Sequence, residues 1–178
     1  MLPKCENAQL RSISREADLA WLAGIIDGEG CLTVDLKMAG NGKLYLMPKV
    51  RVINTDVRMI QKVARIYTDL DVVYFYNINK KRKDHYKDQL AIVISSQGSS
   101  VKVLKAIIPH LANKQEIAGV MVQVIELVQS LPKGGNTSAY DYTNDESFKA
   151  LMAQWNDVRA FHIEPSTTER KAREVISW

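Results

Sequence analysis

The sequence predicts an α+β fold, an initial helix followed twice by a strand-strand-helix unit. Three observations predict it. A helical apolar pattern ends abruptly at "DGEG" (residues 27–30), and the pattern then switches to period-two alternation. Two strand pairs follow, separated by an amphipathic helical stretch with a capping residue at its start. A long apolar-faced helix closes the second pair. The chain of 178 residues, 46% hydrophobic and 25% charged, suits one domain with a core of its own.

The first helix is expected over residues 15–27. Ser14 can cap it, and Glu16 lies in its first turn. "CLTVDLK" then alternates, with Leu32, Val34 and Leu36 on one face and Cys31, Thr33, Asp35 and Lys37 on the other. "MAGNGK" supplies a loop. "LYLMPKVRVIN" returns with Lys49 and Arg51 on one face and Val50 and Val52 on the other, so residues 31–54 read as a hairpin. "TDVRMIQKVARIYTDL" is an amphipathic helix capped by Thr55 or Asp56, with Met59, Ile60, Val63 and Ile66 or Tyr67 toward the core.

"DVVYFYNIN" and "QLAIVISS" are the third and fourth strands. In the fourth, Leu90, Ile92 and Ile94 are expected in the core, with Gln89, Ala91 and Val93 outside. The facing of the third is open, because both registers are apolar. "SSVKVLKAIIPHL" is a helix that breaks at or before Pro109, and "NKQEIAGVMVQVIELVQSL" is the long helix stopped by "PKGGN". Residues 14–131 thus form the expected core. Residues 132–178 form an extension with two more helices, "DESFKALMAQWNDVRAFH" and "STTERKAREVISW".

Composition narrows the function. Net charge is +4 and the pI is near 9.0, which suits a polyanionic partner. Two cysteines and three scattered histidines give neither a disulfide framework nor zinc-ligand spacing. The N-terminus lacks a signal peptide's apolar core. The apolar run 19–26 is far shorter than the roughly 20 residues of a membrane span. A soluble intracellular protein without a membrane partner is expected.

The first helix is anomalous. From residue 17 to 26 only Asp18 breaks its apolar character, so it should be covered on nearly all sides. Ala20, Gly24 and Gly28 recur every four residues and make a stripe that admits another backbone. Either the domain's own sheet covers this helix, or its own symmetry mate does, across a C2 axis. Its C-terminal end also carries Asp27 and Glu29, each opposed by the helix dipole by roughly 0.3–1 kcal/mol. Paired helix ends would cluster these acids, and a cation would neutralise them. Mg²⁺ is held by one or two carboxylates with substrate phosphates.

"LAGIIDGEG" (residues 22–30) resembles the signature of the LAGLIDADG homing endonucleases, and the order of elements is similar to that family's αββαββα core. The motif occurs once, as in the homodimeric branch. The resemblance implies a Mg²⁺-dependent, intron-homing endonuclease that cuts both DNA strands at a long, near-palindromic site, with Ca²⁺ or Mn²⁺ able to occupy the metal site. It implies Glu29 as the metal-binding acid, one methylene longer than the usual Asp, with the Gly28 carbonyl as a further ligand. Asn54 falls where a Gln or Asn stands near the active site, although it is equally an ordinary turn or capping residue. Lys114 falls on a lysine that orders water at the scissile phosphate, although it also reads as a solvated lysine. Asp27 reads too as a residue that caps or solvates the helix end. The dimer interface implied comprises Ala20, Ala23, Gly24 and Asp27.

The outer sheet face would then bind double-stranded DNA through Thr33, Asp35, Lys37, Lys49, Arg51 and Gln89, with phosphates held by the basic turn Lys80, Lys81, Arg82 and Lys83. That turn alone is also an ordinary solvated loop. "STTERKAREVISW" resembles, weakly, the extra C-terminal helix of homodimeric members. The alternatives on the same fold are an RNA maturase acting on intron RNA and a DNA-binding regulator that does not cut. Glu29 and Lys114 favour cleavage, since a pure binder needs neither. No other catalytic constellation supports a small-molecule enzyme.

Overall fold

A computed structural model describes residues 4–38, 44–80, 87–131 and 145–160. Helix α1 (Lys4–Glu29) passes directly into β1 (Gly30–Met38), and β2 (Leu44–Asn54) completes the first hairpin. Then come α2 (Val57–Asp69), β3 (Phe75–Asn79), β4 (Gln89–Ile94), α3 (Gln97–Ile107), a 3₁₀ turn (Ile108–His110), α4 (Gln115–Ser130) and α5 (Glu146–Ala160). This is the expected α+β order. α1 is longer than expected at both ends. The second extension helix and the basic residues Lys81, Arg82 and Lys83 lie outside the described residues.

The four strands form one antiparallel sheet in the order β1-β2-β4-β3. One face carries the core. Leu32 and Val34 from β1, Val50 and Val52 from β2, and Ile92 and Ile94 from β4 are all buried there, as their alternation requires. They join Leu22 and Ile26 of α1, Ile60, Val63 and Tyr67 of α2, Leu104 of α3 and Met121 and Ile125 of α4 in one cluster. α5 extends that cluster through Phe148, Met152 and Trp155, and Asp145 caps it by accepting from the Phe148 N–H at 2.9 Å.

Competing hydrogen bonds shorten the second strand pair. β3 was expected from residue 71 but starts at Phe75. Asp71 has φ 51°, a left-handed conformation that Asp tolerates. The Val72 N–H donates to the Tyr67 carbonyl at 2.9 Å, and the Val73 N–H to Ser99 Oγ at 3.1 Å. These donors are spent on the turn rather than on a ladder. β4 was expected through residue 96 but stops at Ile94, because Ser96 caps α3 by accepting from the Ser99 N–H at 3.2 Å. Asp56, not Thr55, caps α2.

The register also settles the third strand. Phe75, Asn77 and Asn79 stand opposite Val93, Ala91 and Gln89. They therefore share the outer face with Arg51, which stands opposite Val93 on the other side. Ala91 and Val93 correct an expectation. They point outward, yet only 1% and 5% of their surface is accessible. β4 is an interior strand, flanked by β2 and β3, and its small side chains offer little surface.

The α1–β1 junction is tight. A Cβ on Gly30 would lie 2.6 Å from the Ile26 carbonyl oxygen and 2.7 Å from its Cα, whereas a Cβ on Gly28 meets nothing within 4 Å. Gly30 is thus required by close approach of backbone that cannot swing aside. Gly30→Ala should destabilise the chain by about 1–3 kcal/mol through overpacking. In the isolated chain Gly28→Ala should be neutral or slightly stabilising, since Gly is the poorer helix former. Urea unfolding of the two variants measures the contrast, and equal midpoints would refute it.

Candidate functional site

The acids at the end of α1 point in different directions. Two residues along a helix turn the side chain by about 200°. Asp27 consequently faces its own chain, and Glu29 is exposed. One oxygen of Asp27 accepts from the Ala112 N–H at 2.6 Å and the Asn113 N–H at 3.2 Å, and the other from the Lys114 N–H at 2.8 Å. The Lys114 N–H is that of the α4 N-cap residue, and the other two belong to the turn that leads into α4. The carboxylate therefore sits at the unfavourable end of α1 but at the favourable end of α4.

Lys114 returns the interaction. Its ammonium donates to the Ile26 carbonyl at 2.9 Å and to the Asp27 carbonyl at 2.6 Å. Both are among the last four carbonyls of α1, which lack helical partners. The sequence reading gave Lys114 to water at a phosphate and Asp27 to a dimer contact. In this structure both side chains are committed within the chain. Burial pushes the Asp27 pKa up, but the three N–H donors and the Lys114 charge outweigh it and hold the carboxyl below its ordinary 3.8.

Glu29 makes no hydrogen bond or ion pair among the described residues, and the Gly28 carbonyl is not one that Lys114 takes. Together they offer a carboxylate and a carbonyl, the hard oxygen donors that suit Mg²⁺. Among the described residues no group of three His, Cys, Asp or Glu side chains could hold a metal within one chain. The donor set therefore fits Mg²⁺ in kind and needs further oxygens from elsewhere. Gly30 pairs with Val52, which brings the end of β2 beside the same junction. There Asn54 accepts from the Asp56 N–H through its side-chain oxygen at 2.8 Å, so that oxygen holds the turn into α2.

On the open side of α1, Ala20, Gly24 and Gly28 are exposed, and a Cβ on Gly24 or Gly28 would meet nothing within 4 Å. Ala23 corrects the expected interface. It is fully buried in the chain's own core with Leu22 and Ile26, so it cannot line that surface. Over residues 14–29, whose burial is described, the helix is covered on one side only.

The outer sheet face is largely polar. Thr33 is half-buried, and Lys37, Arg51, Lys80 and Gln89 are exposed. Lys49 is paired with Asp35, Nζ to Oδ2, at 2.6 Å. Both side chains are about a third exposed (35% and 32%), so the pair costs little to open. Asn77 and Asn79 join this face beside Gln89. Sequence reasoning missed them because alternation in "VVYFYN" does not distinguish the two registers. Pairing with the more clearly patterned β4 would have placed them.

No protein-family model and no curated protein matches the chain. Solved structures do. The homing endonuclease I-CvuI in complex with its target in 2 mM Ca superposes with a TM-score of 0.65 at 16% identity, covering 93% of this chain and 96% of that one. The archaeal intron-encoded homing endonuclease I-Vdi141I complexed with DNA gives 0.63 at 14% identity, covering 91% and 94%. The chain has the fold of the LAGLIDADG homing endonucleases. The I-SmaMI LAGLIDADG homing endonuclease bound to cleaved DNA matches at 0.54 and 16% identity over 84% of this chain but 50% of that one. One copy of this LAGLIDADG fold thus spans half of that longer chain. No helix among the described residues is long and apolar enough to cross a membrane.

The clamp between Asp27 and Lys114 has a pH signature. The folded-state pKa of Asp27 lies below the unfolded value, so its contribution is fully present above that ordinary value. It is lost as pH falls through the folded one. Asp27→Asn should cost about 1.5–3 kcal/mol near neutrality, the worth of hydrogen bonds to a charged group. The gap to wild type should close as pH falls through and below that ordinary value of 3.8. Urea midpoints across that range measure it. A gap that stays constant would show that the charge does not matter.

Proposed function

We propose that the chain is a site-specific double-strand DNA endonuclease of the intron-homing kind, acting as a homodimer on long, near-palindromic sites. The observation that carries this reading is the uncovered small-residue stripe of α1, ending in the outward Glu29. A second α1 laid along Ala20, Gly24 and Gly28 about a C2 axis would bring two Glu29 carboxylates to one place. That supplies acids a single chain lacks and gives the symmetry that a near-palindrome matches. A longer solved endonuclease, 50% of which matches this chain, supports the same assembly.

DNA would lie on the outer sheet face, with Arg51, Lys49 and Gln89 toward base edges and the basic turn at Lys80 toward phosphates. Glu29 and the Gly28 carbonyl would hold Mg²⁺, with Ca²⁺ or Mn²⁺ as substitutes. When bound, such a metal supplies a nucleophile near neutral pH and stabilises the leaving oxygen. Asp27 and Lys114 position this end of α1, and Asn54 fixes the neighbouring turn. One observation favours a second reading, a DNA-binding regulator that does not cut: the Lys114 ammonium is taken up by backbone carbonyls.

Cleavage decides between the two. Wild type is incubated with a randomised duplex pool and Mg²⁺, and cut ends are sequenced. Discrete cut sites are expected, and none would leave the regulator reading. Glu29→Gln should reduce cutting by more than the roughly 10–100-fold that loss of an outer-shell partner costs. Gel-shift affinity in Ca²⁺ should be retained. Near-normal cutting by this variant would remove Glu29 from the site.

The interface has its own test. Gly24→Leu should stabilise the isolated chain slightly, because it replaces a poor helix former in open space. It should weaken the dimer by about 1–3 kcal/mol through overpacking. Sedimentation should then show a shift toward monomer with an unchanged helical spectrum. An intact dimer of wild-type affinity would place the interface elsewhere.

A further inference from the structure

We propose that Phe75 is a specificity-determining residue that reads the C5-methyl group of a thymine in the DNA target. The inference rests on the DNA-binding reading above and adds the base chemistry. The register aligns Cys31 with Arg51, Arg51 with Val93, and Val93 with Phe75, a single row across the outer face. Phe75 is 49% exposed there. The other exposed apolar side chains of β3, Tyr76 and Ile78, stand opposite Ile92 and Leu90 and so belong to the opposite face. Of the exposed large apolar residues in the described strands, Phe75 is thus the one on the face that carries Arg51.

Phe75, beside the nearly buried Val93, is a small exposed apolar point in a polar surface. Phosphate is charged, and sugar contacts carry no sequence information. In the major groove the apolar feature of a base edge is the thymine methyl, and apolar side chains recognise it by contact. Arg51, on the same row, suits a guanine. Two strand spacings separate Phe75 from Arg51, about 10 Å. At about 3.4 Å per base pair, the thymine lies within roughly three steps of that guanine.

Two randomised duplex pools test this, one containing thymine and one containing uracil in its place, which differs by the methyl alone. Each is selected in Ca²⁺ by wild type, Phe75→Ala and Phe75→Leu, with circular dichroism to confirm that both variants fold. Wild type should enrich a thymine within about three positions of an enriched guanine. Uracil at that position should bind about fourfold more weakly, the worth of one buried methyl. Phe75→Ala should lose this discrimination and keep the guanine, and Phe75→Leu should retain part of it. Equal binding of thymine and uracil by wild type at every position would overturn the proposal while enriched guanine left the DNA reading intact. So would discrimination undiminished in Phe75→Ala. Enrichment of no sequence at all would overturn both readings together.

Discussion

Two helix ends that are each wrongly charged for themselves hold this molecule's site together. Asp27 brings a negative charge to the negative end of α1, and Lys114 brings a positive charge to the positive end of α4. Exchanged, both become favourable. The carboxylate satisfies the N-cap N–H of α4 and two N–H groups of the turn before it, and the ammonium satisfies two carbonyls that close α1. Five backbone groups, three of them at helix ends, find partners through two side chains. The desolvation of Asp27 opposes this arrangement but does not outweigh it, as the lowered pKa records. Because α4 also packs on β1 and β2, the exchange ties the end of α1 to the sheet that follows it. Gly30 then carries the chain from helix to strand without a loop, against the backbone of Ile26.

This fixed junction separates the two faces of the sheet by task. The inner face is apolar where the helices close it, and there its composition is set by packing, while at the β3 edge Tyr76 and Ile78 stay exposed. The outer face has no such constraint and carries an ion pair, amides, an exposed arginine and an exposed apolar side chain. The Asp35–Lys49 pair cancels one cation in the free protein, which leaves Arg51 as the exposed charge at the centre of the face. A surface built this way has few groups committed to stability and many available for recognition.

Much of this was legible in the sequence. The inner faces of β1 and β2, the buried stripe of α2 and the break at Pro109 follow from period and proline chemistry. The limits of β3 and β4 were not, because Ser96, Ser99 and Asp71 compete locally with strand pairing. Between residues 17 and 26 of α1 nearly every residue is apolar, so helical period could not tell which face meets the chain's own core. Size tells more: Leu19, Leu22 and Ile26 turn inward, while Ala20, Gly24 and Gly28 stay open. Ala23 is small and nevertheless inside, which is why it was misplaced. The acids were visible as an anomaly, but Asp27's partners lie 85 to 87 residues further on. No local pattern could name them.

The same distance explains why two acids are needed where one seemed costly enough. A carboxylate that accepts three backbone N–H groups has little capacity left for a cation, and one that binds a cation from solvent cannot also brace the interior. Placing the acids two residues apart on a helix turns one inward and the other outward. The inward acid anchors the helix end, and the outward acid is thereby held at a fixed point without spending its own oxygens. The glycines divide in the same way: Gly30 is demanded by contact within the chain, whereas Gly28 faces open space. A requirement for glycine in open space has no source inside one chain. If it exists, it comes from whatever approaches that face, and a second α1 with the same stripe is the partner whose backbone could come close enough to need it.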